Sequence, residues 1–379
     1  MSGEKSKSGA TAPPAGKLET IEAGRGLAAL AVVLAHATSI MAEPRFFGEL
    51  VFGGRLLPFG AGVDFFFVLS GFIISWVHWG DLGRPERLRR YAIRRFWRIY
   101  PSYWAVLLPL AALYFMFPGT GQPSQRDPLN LLLSAALLPY PEPPVLGVAW
   151  TLVHEIAFYL LFGLLIVLGR PFLWVLPTWA ALIVWAELHY GRLPFPLSVY
   201  LNAFNLEFLI GIGAAACLRH ARIPAPLLVG VAGLLSFFAL MLFPPPFMAT
   251  SLFARLAYGA ASFCGIVGFV EFERSRGVAV LAPLRQLGAA SYAIYLIHGV
   301  ALSASIHLVT KIAGRSLSLP VAFVALVIAA TCVGLAYHRL IEQPLARLRP
   351  RGRQVPEADA ATPPIAEQRL DSSRSGGAV

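Results

Sequence analysis

The chain has 379 residues, of which 57% are hydrophobic and 13% charged, with a formal net charge of +11. A soluble domain carries about 25% charged residues, so this chain has roughly half the charge that a water-facing surface needs. The same figures exclude disordered and collagen-like chains, and Cys217, Cys264 and Cys332 lie in apolar stretches without the spacing of a disulfide frame or a metal site.

Taken in chain order, residues 1–17 are polar, rich in Gly, Ser and Pro, and read as a disordered tail. They do not form a signal peptide, because the first apolar run carries Arg25 and His36. Beyond them the apolar residues come in blocks of about 20, the length that crosses a bilayer. Ten spans are expected, at roughly 20–42, 57–79, 99–117, 147–168, 171–189, 199–218, 226–243, 250–271, 288–311 and 319–341. The apolar segment at roughly 129–139 is too short to cross and is expected as a re-entrant or interfacial helix in the longest outer loop. Residues 18–343 are thus expected as one integral-membrane domain and 344–379 as a second disordered tail, with no domain-sized soluble region at either end. The expected fold is an all-α polytopic bundle of transmembrane helices.

Orientation follows from Lys and Arg, which collect on cytoplasmic loops. With the N-terminus inside, only six of the 31 basic residues fall on outer loops: Arg45, Arg55, Arg126, Arg192, Lys311 and Arg315. Arg25 and Arg255 lie within spans, and the rest are cytoplasmic. Both termini are therefore expected in the cytoplasm. In a membrane chain the basic balance reflects this rule and does not call for a nucleic-acid partner.

A charge at the centre of a membrane helix costs at least about 2.5–3.5 kcal/mol, so each one needs a partner or a task. Arg25 and His36 are separated by eleven residues, close to three full helical turns, so they share a face about 16 Å apart. His36 falls in the outer half. Asp64, Glu155 and Glu207 each sit about 10–12 Å below the outer end of their spans, and the spacing predicts an acid–base constellation around His36. Structural ion pairing is the competing reading.

The run Arg84–Pro101 carries seven arginines within fifteen residues on the cytoplasmic side. Arg95 and Arg98 are spaced i, i+3 and share a helix face. Arginine forks suit phosphate, and the nucleotide part of coenzyme A is a ligand that fits. Positive-inside topology with anionic lipid contact is the alternative. The eight histidines are dispersed and no i, i+4 His pair stands with a carboxylate, so no metal site is expected.

Six segments together resemble the membrane-bound acyltransferases of the acyltransferase-3 type, which include O-antigen, exopolysaccharide and nodulation-factor O-acetylases. They are LETIEAGRGLAALAVVLAHA (18–37), GVDFFFVLSGFIIS (62–75), RRFWRIYPSYW (94–104), WTLVHEIAFYLLF (150–162), SYAIYLIHG (291–299) and IEQP (341–344). The resemblance implies transfer of an acyl group, usually acetyl, from cytoplasmic acyl-CoA to a hydroxyl of a sugar or similar acceptor, in the plasma (inner) membrane. It places the family's Arg-x10-His on Arg25 and His36, its Arg-x-x-Arg pair on Arg95 and Arg98, and its span-four glutamate on Glu155. His154 and Ile156 flank Glu155 where the family commonly has a second acid.

Both lines together predict acyl-CoA docked on Arg94, Arg95, Arg98 and Arg25, with its thioester reaching toward His36. His36 would act as general base or transient acyl carrier, oriented by Glu155 or Asp64. Glu207, Ser291, Tyr292 and His298 are candidates for substrate binding and positioning. A glycan transporter or flippase is the runner-up, although no repeat relates the two halves. A scaffold subunit of an export complex, in which His36 would be replaceable, is a third reading.

Overall fold

A computed structural model describes residues 18–190, 193–249, 251–313 and 317–350. The tails at 1–17 and 351–379 and the outer-loop Arg192 and Arg315 lie outside the described residues. The described chain is helical throughout, in the order α1 (Glu19–Met41), α2 (Gly62–His78), α3 (Leu88–Met116), α4 (Pro128–Ala136), α5 (Trp150–Leu168), α6 (Val175–His189), α7 (Leu197–Tyr200) and α8 (Phe204–His220). It continues through α9 (Pro226–Leu242), α10 (Ser251–Arg276), α11 (Ala282–Ala289), α12 (Ser291–Ala313), α13 (Leu319–Tyr337) and α14 (Gln343–Arg347). Among the described residues nine helices are long and apolar enough to cross a membrane. The tenth expected span, α9, is apolar but shorter, and it packs along α10. Beyond α13 a π-turn at His338–Glu342 leads directly into α14, so helix extends a few residues into the segment whose composition reads as tail.

The bundle is held by close helix contacts and an aromatic core. Gly71 of α2 and Gly211 of α8 face each other so closely that a Cβ on either would collide with the opposing backbone, at the Phe208 and Val68 carbonyls. Backbones at that distance maximise dispersion where lipid supplies no hydrophobic drive. Next to this crossing Phe208 stacks on Phe158 of α5, centroids 4.5 Å apart, and takes Phe67 edge-on at 4.8 Å.

The short apolar segment becomes α4, whose last carbonyls lack the i+4 amides of a continuing helix, the Ser134 carbonyl taking the Leu137 amide instead at 2.9 Å. Side chains of α3 supply donors. The Tyr103 hydroxyl donates to Ser134, the Trp104 indole to Ala135 and the Tyr100 hydroxyl to Ala136, at 2.8, 2.8 and 2.9 Å. Similarly, Tyr292 of α12 donates to the Ile99 carbonyl at 3.0 Å and Tyr337 of α13 to that of Ser102 at 2.7 Å. These bonds fasten α3, and its arginines, to α12 and α13.

Candidate active site

Two cavities adjoin inside the bundle. One, of about 170 Å³, is lined by Arg25 of α1, Ser70 of α2, Arg95 and Arg98 of α3, Glu155 of α5 and Ser291 and Tyr292 of α12. The other, of about 620 Å³, is lined by His36, Asp64, Trp150, Phe204, Arg255 and Tyr258. Val63 and Tyr295 line both and form the wall between them. Tyr295 is pinned there, its hydroxyl 2.8 Å from Thr151 Oγ1 and 3.3 Å from the Val148 carbonyl.

Helix geometry explains how one chain serves both cavities. Arg25 and His36 stand three turns apart on α1, and Ser291, Tyr295 and His298 recur at helical spacing on α12. The two helices pack together, so each carries side chains from the arginine cavity to the histidine cavity.

In the arginine cavity each α3 arginine is already held. Arg95 Nη2 donates to His78 Nε2 at 3.3 Å, and His78 Nδ1 donates to Asp81 at 2.8 Å. Arg95 also lies over the rings of Tyr91 and Tyr159, at 5.8 and 5.6 Å. Arg98 donates to Glu342 at 3.3 Å and covers the Tyr292 ring at 5.0 Å, while the other Glu342 oxygen takes a bond from His338 at 2.7 Å. Arg94 does not line the cavity; its charged neighbours are Arg90, Arg349, Arg95 and Asp81. Glu155 accepts from Ser70 Oγ at 3.2 Å and from the Tyr159 hydroxyl. The buried Ser291 hydroxyl has no hydrogen-bond partner.

In the histidine cavity His36 is exposed on the wall, and its Nδ1 lies 3.0 Å from Nε2 of the fully buried His298. Asp64 is buried and ion-paired with Arg255 at 2.5 Å. Glu207, also fully buried, lies against Asp64 and within electrostatic reach of Arg255. The Arg255 guanidinium covers the Phe204 ring at 4.4 Å.

His36, His298 and Asp64 therefore meet on one side, while Arg25, Arg95, Arg98, Glu155, Ser291 and Tyr292 meet on the other. The neighbour of His36 is His298 rather than Glu155 or Asp64. Depth counted from the span ends placed the three acids together, but none of those spans begins as continuous α-helix. Leu57–Ala61 and the shorter Gly147–Ala149 are 3₁₀ turns, and a break at Asn202 separates α7 from α8. Asp64 and Glu207 thus fall in the first turns of α2 and α8, and Glu155 lies more than a turn into α5. Arg255, Tyr295 and Glu342 had no role assigned from the sequence; Arg255 stood out as a cation inside an apolar span, and Tyr295 and Glu342 lie within the segments SYAIYLIHG and IEQP. Among the described residues no group of three or more His, Cys, Asp or Glu side chains could hold a metal ion.

The family profile of the acyltransferase-3 type, described as an acyltransferase domain, matches residues 18–339. The chain belongs to this family. It is a multi-pass membrane acyltransferase. Over 312 residues the acyltransferase is 31% identical to the exopolysaccharide production protein ExoZ of Rhizobium meliloti (strain 1021), covering 78% of this chain and 92% of that protein. Over 388 aligned residues it is 28% identical to the acyltransferase MdmB of Streptomyces mycarofaciens, covering 92% and 96%. No solved structure gives a significant match.

Proposed function

We propose that this acyltransferase moves an acyl group, acetyl in the first instance, from cytoplasmic acyl-CoA to a hydroxyl of a sugar or glycan, in the inner membrane. The observation that carries this reading is the junction of the two cavities at Val63 and Tyr295. A cation-lined cavity of about 170 Å³ suits a slender thioester arm rather than a whole nucleotide, since pockets for complete ligands run to about 300–1,000 Å³. The phosphates would then stay at the mouth with the exposed Arg98, where guanidinium forks make strong bidentate contacts. Glu342 and His78 hold these arginines in place before phosphate arrives. The excess of Lys and Arg on that side agrees with a cytoplasmic donor.

The larger cavity, with Trp150, Phe204, Asp64 and Arg255, offers apolar faces and charged hydrogen-bonding groups for a hydroxylated acceptor. As the acceptor oxygen attacks the thioester carbon, His36 takes its proton; the C–S bond breaks and the thiolate leaves with a proton returned by His36. Attack by His36 itself, giving an acyl-histidine that the acceptor then resolves, would show as ping-pong kinetics. The name of ExoZ supports an exopolysaccharide or related glycan as acceptor. Mass spectrometry of surface glycans from cells with and without the protein tests the reading. An acetyl-sized mass difference per modified site is expected, and identical spectra with no acetyl-CoA consumed by the purified protein would overturn it.

A further inference from the structure

His36 and His298 stand 262 residues apart in sequence, yet their ring nitrogens are 3.0 Å apart, with ring centroids at 4.9 Å. The partners of these rings determine where the protons sit. His298 Nδ1 lies 2.6 Å from the backbone carbonyl of Tyr295. A carbonyl only accepts, so Nδ1 must carry the hydrogen; the opposite arrangement would press two lone pairs together. In a neutral imidazole the other nitrogen is then an acceptor. His298 Nε2 therefore receives a hydrogen bond, and His36 Nδ1 is the donor. The Val32 carbonyl, one turn earlier on α1, also faces the His36 ring and likewise only accepts. What remains on His36 is the lone pair of Nε2, on a side chain that lines the larger cavity. Among the described residues no carboxylate bonds to either ring.

We propose that His298 is the positioning residue of this active site: it fixes His36 in the tautomer whose Nε2 can take a proton from the acceptor hydroxyl. This rests on the reading of His36 as proton acceptor given above. When the acceptor oxygen forms its bond to the acyl carbon, its proton moves to His36 Nε2. The His36 ring is then a cation, and its Nδ1–H bond to His298 becomes charge-assisted and about twice as strong. A bond that strengthens as the transition state forms accelerates the step, whereas one of equal strength throughout does not. The proton afterwards leaves Nε2 for the departing thiolate. His298 neither gains nor loses a proton, and its complete burial keeps water away from its Nε2 acceptor.

The test compares variants in discs extracted from the native membrane, which retain its glycolipids, with acetyl-CoA as donor and thiol release as readout. His298→Leu removes the acceptor. Turnover should fall by roughly 10²–10⁴-fold, the range for loss of general-base catalysis or of the group that fixes the base's tautomer, with the donor KM unchanged within about twofold. His298→Gln, whose longer amide oxygen reaches His36, should return turnover to within about tenfold of the native protein. His298→Asn reaches the Tyr295 carbonyl and not His36, and it should remain as slow as His298→Leu. The Gln–Asn comparison carries the test if the leucine variant does not fold, as its unfolding profile would show. On a His36→Ala background, His298→Leu should cause no further loss. Equal turnover of the Gln and Asn variants, turnover of His298→Leu within about threefold of native, or a further loss on the His36→Ala background would overturn the proposal. Native-like turnover of His36→Ala itself would instead overturn the reading on which the proposal rests. An inactive His36→Ala beside unaffected His298 variants would remove only the role of His298.

Discussion

Replacing Arg255 by methionine leaves two carboxyls, Asp64 and Glu207, side by side inside the membrane with no cation between them. At the 2.5 Å separation of Arg255 and Asp64, two unit charges attract by about 7 kcal/mol at an effective dielectric of about 20. Desolvation of both groups offsets much of this, and breaking a buried pair from one side costs about 3–5 kcal/mol. The cluster contains two acids and one base, so the two ends of the pair are not equivalent. Asp64→Asn leaves Arg255 facing Glu207, one charge against one. Arg255→Met leaves acid against acid and also removes the guanidinium from the Phe204 ring. Arg255→Met should therefore destabilise the protein by about 3–5 kcal/mol and Asp64→Asn by clearly less. The Asp64→Asn/Arg255→Met double variant should be more stable than Arg255→Met alone. Reversible unfolding of the purified protein in mixed micelles, followed by tryptophan fluorescence against the fraction of denaturing detergent, measures all three. Equal losses from the two single variants, or a double variant less stable than Arg255→Met, would refute this account of the cluster.

The proposed donor site predicts a split in kinetic constants. Replacing Arg95 and Arg98 together by alanine should raise the donor KM roughly 100-fold, from two charge-assisted hydrogen bonds to the donor at about 1.5 kcal/mol each, and acetyl-CoA titration of purified protein checks it; unchanged affinity would return the cluster to topology alone. Glu342→Gln should leave Arg98 without its carboxylate partner and change the donor KM while the acceptor KM stays the same, measured by varying each substrate in turn. At the α2–α8 crossing, Gly71→Ala forces a Cβ against the Phe208 carbonyl and should cost about 1–3 kcal/mol, read as a lower unfolding midpoint with the acyl-CoA KM preserved in the folded fraction.

The membrane fold was legible in the sequence because a span must be both long and apolar, and few soluble segments are. The short α4 was legible for the same reason, being apolar but too brief to cross. The arginine cavity could be read from Arg25, Arg95 and Arg98 because cations inside or beside a span stand out against 57% hydrophobic residues. Ser291 and Tyr292 joined it through their helix. Depth was harder to read. It was counted along uniform α-helix, whereas 3₁₀ turns precede α2 and α5 and a break precedes α8, leaving Asp64 and Glu207 in the first turns of their helices and Glu155 deeper in its own. Partnerships were not legible at all. The pairing of His36 with His298 joins positions 262 residues apart, and the Arg255–Asp64 bridge joins α10 to α2. Nothing local in the chain marks such contacts, which depend on how the helices pack.

The most direct measurement of the central claim is the turnover of His36→Ala in folded protein, with acetyl-CoA consumption and acceptor acylation followed together. The account predicts a loss of about 10²–10⁴-fold in both with donor affinity preserved, because the arginines proposed to hold the donor lie in the other cavity. Acylation of the acceptor at a rate near that of the native protein would contradict it.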